Sequence, residues 1–95
     1  MITDENIRAL DTIARELEQR GVDVKRLRAT IGEHGAQRTN IAIDLDVAAA
    51  ALDIAGVIAG AAAVASREKK NDARDEMTAF AERIIRATLP LVTFE

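Results

Sequence analysis

The segment NIAIDLDVAAAALDIAGVIAGAAAVAS, Asn40 to Ser66, is the most apolar part of the chain and decides how the rest must pack. Its alanine runs, Ala48 to Ala51 and Ala61 to Ala63, favour helix because alanine has no side-chain entropy to lose there. At about 100° per residue the side chains sort into two faces. Ile43, Val47, Ile54 and Ile58 form an aliphatic stripe, flanked by Ala50, Ala51, Ala61 and Ala65. Opposite lie Asp46, Ala49, Asp53, Gly56, Gly60 and Ala63. A helix apolar on nearly every side is expected to be buried, either in a bundle or in lipid.

Gly56 and Gly60 make a G-x-x-x-G, a spacing that lets two helix backbones approach closely. Glycine inside a helix costs roughly 0.5–1 kcal/mol relative to alanine, so the pair implies packing that needs the room. The expectation is that the closest helix crossing falls on this face, with Asp46, Asp53, Gly56, Gly60 and Ala63 as candidate residues of a helix–helix or homo-oligomer interface. Gly60→Leu should then overpack the crossing by roughly 1–3 kcal/mol. A buried carboxylate needs a partner or it neutralises, so Asp46 and Asp53 are read as solvated or ion-paired with an arginine from a neighbouring helix. Asp44 and Asp46 resemble a metal-binding pair in print, but on a helix they point about 200° apart.

Val47 to Ser66 also has the length of a bilayer span, which is about 20 residues. Leu52, Ile54, Val57 and their aliphatic neighbours gain only roughly 0.3–0.6 kcal/mol each on insertion, whereas Asp53 costs roughly 2.5–3.5 kcal/mol if deep. The terms cancel, which favours a soluble helix over a span at 47–66. At the front of the segment, Ile41, Ile43, Leu45 and Val47 alternate with Ala42, Asp44 and Asp46, the period of a half-buried strand. Leu91 to Phe94 could pair with such a strand. Helix from about Asn40 is the preferred reading.

The flanking sequence supplies partners for this helix. Thr3 or Asp4 caps a first helix, 4–20, whose Ile7, Leu10, Ile13, Ala14 and Leu17 recur at helical spacing until Gly21 stops it. Asp23 caps a second helix, 23–33, bearing Val24, Leu27 and Ile31, with His34 to Thr39 as a loop. The central helix occupies about 41–69. REKKNDARDE, Arg67 to Glu76, reads as a solvated charged stretch in which Asn71 and Asp72 offer a break and a new cap. The last helix, 72–89, carries Ala73, Met77, Phe80, Ala81, Ile84 and Ala87 on one side and ends at Pro90. An apolar tail, 90–95, must dock on something.

A chain of 95 residues is expected to be one domain, 1–95, with a modest core. Two phenylalanines, no tyrosine and no tryptophan mean that this core is built from thin aliphatic side chains. Such a core is often completed by a second copy. The sequence therefore predicts an all-α four-helix bundle around the Ala/Gly-rich helix, completed by self-association. Val47, Ile54 and Ile58 should meet Leu10, Leu17, Met77, Phe80 and Ile84. The N-terminal MITDENIR is acidic and unlike a signal peptide, which points to the cytoplasm.

Chemistry is poorly supplied. There is no cysteine, the single histidine, His34, lies between glycines, and Ser66 has no histidine near it in sequence to activate it. No phosphate-binding loop or metal-ligand motif occurs, so no enzyme activity and no cofactor are expected. A DNA-binding alternative rests on segment 14–31, where Gly21 joins two helices and Lys25, Arg26 and Arg28 make the second basic, as in a helix-turn-helix. Leu17 departs from the small residue usual four positions before the glycine. With a net charge of −3, the chain offers no global attraction to nucleic acid. The preferred reading is a non-enzymatic interaction or assembly protein, an adaptor or structural element whose partner is itself or another protein.

Overall fold

The periodic segments form helices and the glycine and charged segments connect them. The computed structural model describes residues 4–37 and 41–92, which form α1 (Asp4–Gln19), α2 (Lys25–Gln37), α3 (Ile41–Arg67) and α4 (Asn71–Val92). All-α architecture is thus established. The strand alternative for 40–47 falls away, since the backbone is helical from Ile41. Asp44 and Asp46 therefore belong to one continuous helix, without a bend between them. Thr3, Asn40 and the end of the apolar tail, 93–95, lie outside the described residues, as do the side chains of His34, Ile43 and Asp44.

Helix α1 ends as its sequence directs. Gly21 adopts φ 80°. Its N–H donates to the Glu18 carbonyl at 3.0 Å, and the Val22 N–H donates to that of Leu17 at 3.0 Å. This is the two-bond Schellman stop, in which a left-handed glycine follows the last helical turn. The connection then delivers Asp23, whose carboxylate accepts the Lys25 N–H at 3.1 Å and satisfies an amide that the helix cannot. Helix α2 runs past Gly32 to Gln37 instead of stopping at 33. A helical glycine is a cost of about 1 kcal/mol rather than a terminator, and Ala36 and Gln37 are good helix formers.

The α3–α4 connection repeats the Schellman pattern without a glycine. The Lys69 N–H donates to Ser66 at 3.2 Å, the Lys70 N–H donates to Ala65 at 2.9 Å, and Lys69 sits at φ 59°. The charged run is therefore a tight reversal, and the Lys70 carbonyl, rather than Asn71 or Asp72, accepts the first bond of α4 at 3.0 Å. A left-handed non-glycine residue is strained by about 1–2 kcal/mol. Lys69→Gly is expected to raise stability by about 0.5–1 kcal/mol, after allowing for the greater freedom of glycine in the unfolded chain. Urea denaturation checks this; a loss of stability would show that the Lys69 side chain contributes more than its backbone costs.

Pro90 does not end α4, which continues to Val92. Proline removes only its own N–H, and the carbonyl it deprives belongs to Arg86, an exposed residue in the last turns where water can replace the bond. Two residues before the proline, the buried Thr88 satisfies its hydroxyl by donating to the Ile84 carbonyl at 2.6 Å.

Packing follows the apolar stripes. Val47, Ala51, Ile54 and Ile58 of α3 join Leu10, Ile13 and Leu17 of α1, Val24 and Leu27 around the α2 start, and Phe80 and Ile84 of α4 in one core, with Met77 packed against it. Helices α3 and α4 form a hairpin; α1 lies along α4 and α2 along α3. Ion pairs Arg20–Glu76 and Arg83–Glu16, the latter at 2.7 Å, run in opposite sequence directions, so α1 and α4 are antiparallel.

The molecule measures 44 × 27 × 18 Å. Its shortest dimension fits only two helix diameters of about 10 Å. A two-layer body cannot surround its longest helix. The expectation of a central helix sheltered on all sides is corrected accordingly: α3 is covered along one face and open along the other.

Candidate functional site

The open face of α3 is the feature most in need of explanation. Its buried side is lined by Val47, Ala50, Ala51, Ile54, Ile58, Ala62 and Ala65. Its outer side carries Leu45, Ala49, Leu52, Gly56, Ala59, Gly60, Ala63 and Val64, all exposed. Leu52 is 47% exposed and Val57 68%. Residues Leu45–Arg67 are long and apolar enough to cross a membrane by length and composition, yet only 39% of that window is buried.

All five interface candidates fall on this outer side: Asp46, Asp53, Gly56, Gly60 and Ala63 are exposed together. They do not mark a crossing within the chain. A Cβ added at Gly56 or Gly60 would meet nothing within 4 Å. The intrachain form of the expected crossing is therefore corrected; the two glycines serve no packing inside the protomer. Asp53 does find an arginine from a neighbouring helix, as Arg26 of α2 binds its carboxylate. Both groups are largely exposed, so the pair is a weak tether of about 0.2–1 kcal/mol.

Sequence reasoning missed the large side chains in this face. Leu45, Leu52, Val57 and Val64 were expected to be sheltered with the rest of the helix, and all are exposed. The signal was present in the spacing. Leu45, Ala49, Leu52, Gly56, Ala59, Ala63 and Ser66 repeat every four and three residues, the a/d seam of a coiled coil. Near the open end of the hairpin, α4 adds Ile85, Leu89 and Val92, also exposed.

The basic residues of α2 are less available. Arg26 is engaged by Asp53, and Arg28 by Glu18 at 2.9 Å with Asp11 at 3.5 Å. Among the described residues, Lys25 alone of the three candidates has no carboxylate contact, and it is exposed. Two of the three basic groups of the DNA-binding alternative are thus committed to carboxylates of the same chain. Among the described residues, no group of three or more acidic, histidine or cysteine side chains is placed to hold a metal ion. No protein-family model, no curated protein and no solved structure matches the chain.

Proposed function

We propose that this protein is a non-enzymatic helical assembly protein acting through the open face of α3, covered in use by a second copy or by a helix of another protein. The observation that carries the reading is the exposed apolar seam from Leu45 to Ser66, with both glycines unobstructed. A contiguous exposed apolar patch on a soluble domain marks an interaction surface. The small side chains in it suit a helix more than a flat protein surface, since they let backbones come close.

Molecular mass in solution across a dilution series, with and without detergent, tests this. The expected result is an oligomer that forms without detergent and dissociates on dilution. A monomer throughout would remove the homo-oligomeric reading. The same face supports a second reading, a membrane protein spanning at 47–66. Partition of the chain into vesicles would favour it; against it stand Asp46, Asp53 and Arg67 on the surface that lipid would touch.

A further inference from the structure

We infer that the occupant of the open face is the α3 helix of a second copy, packed antiparallel in a register that sets Asp46 against the partner's Arg67. The inference rests on the assembly reading above and specifies its partner. In the exposed seam, the flank one residue beyond Leu45, Leu52, Ala59 and Ser66 is Asp46, Asp53, Gly60 and Arg67, and all four are exposed. The other flank is Ala48, Ala55 and Ala62, buried against the rest of the chain. Only one flank therefore carries charge.

Charge complementarity chooses the orientation. Flanking positions of paired helices set partner and direction through interhelical ion pairs. In a parallel pair the charged flank faces the partner's alanine flank, and no charge meets another. In an antiparallel pair the charged flanks face each other. The seam then interlocks with Gly56 opposite the partner's Ala59, Leu52 opposite the partner's Ala63, and Ala49 opposite the partner's Ser66. That register places Asp46 beside the partner's Arg67, twice by symmetry.

The same register accounts for both glycines. Gly56 lies next to the two-fold axis, where the backbones come closest. Gly60 lies across from the partner's Asp53, leaving space for the Arg26 side chain that holds that carboxylate in each protomer. Each leucine of the central layers meets an alanine, so the layers fill without overpacking. The contact is isologous, as a two-fold dimer requires.

The chain has no cysteine, so cross-linking reports on the register directly. Leu52→Cys and Ala63→Cys both lie on the exposed face. Mixed and oxidised, the two variants should yield a disulfide between position 52 of one chain and 63 of the other. Neither variant alone should cross-link, because like positions are then offset by about 16 Å along the axis, well beyond disulfide reach. Charge exchange is the second arm. Asp46→Arg and Arg67→Asp should each weaken the dimer about tenfold, and the double variant should recover it.

Disulfides within each single variant would overturn the antiparallel orientation. A dimer without the mixed disulfide would overturn the register and leave the assembly reading standing. A chain that stays monomeric would overturn both.

Discussion

Phe80→Ala is expected to destabilise the fold by about 3–5 kcal/mol, a large share of the roughly 5–15 kcal/mol that holds a domain of this size. Phe80 is the one aromatic side chain among the described residues, since the other phenylalanine, Phe94, lies outside them. It is 6% exposed and packs at the junction of α1, α3 and α4, near Leu17, Ile58 and Met77. Truncation to alanine leaves a cavity beside Leu17 and Ile58 that partial relaxation of the packed helices does not fill.

The ring also organises charge. The guanidinium of Arg20 lies 4.8 Å from its centroid and that of Arg83 5.3 Å. The first arginine binds Glu76 and the second Glu16, so two ion pairs between α1 and α4 are arranged around one aromatic ring. Each pair is exposed and worth little alone; stacking on the ring limits the side-chain freedom lost in forming it. Phe80→Leu should keep most of the burial and cost under about 1.5 kcal/mol, whereas Arg20→Ala should cost about 1 kcal/mol or less. Urea denaturation followed by far-ultraviolet circular dichroism ranks the three. A Phe80→Ala loss no larger than that of Arg20→Ala would mean that α1 is not docked through this ring.

The core was legible because helical spacing is a local property. Val47, Ile54 and Ile58, with Leu10, Leu17, Phe80 and Ile84, could be assigned to it from periodicity alone, and they meet there. Gly21 was legible as a stop because only glycine occupies a left-handed position cheaply. Lys69 occupies the same kind of position and left no trace, since lysine in that conformation has no sequence signature. The extent of cover over α3 was not legible either. Periodicity says which face is apolar, not how many neighbours reach it. With 27 residues against 16, 13 and 22 in α1, α2 and α4, α3 outruns every other helix. Asp53 was legible as either solvated or paired with an arginine of a neighbouring helix, and that it pairs with Arg26 depends on where α2 crosses α3.

Gly56→Leu and Gly60→Leu are expected to act with opposite signs on the protomer and on the assembly. Within the protomer neither glycine has an atom within 4 Å of where a Cβ would stand. Replacing it with a good helix former should therefore raise protomer stability by about 0.5–1 kcal/mol. Across a close helix pair the same leucine must push two backbones apart. Overpacking of about 1–3 kcal/mol corresponds to a dimer weakened roughly tenfold to a hundredfold. The effect should be larger at Gly56, which sits beside the symmetry axis and meets its own copy's helix at closest approach. Dilution-series mass and urea midpoints measured on the same samples separate the two terms. A variant that dimerises as tightly as the parent would move the contact off this face of α3. A variant that loses protomer stability would mean that the glycines are needed inside a single chain, which the open space around them does not predict.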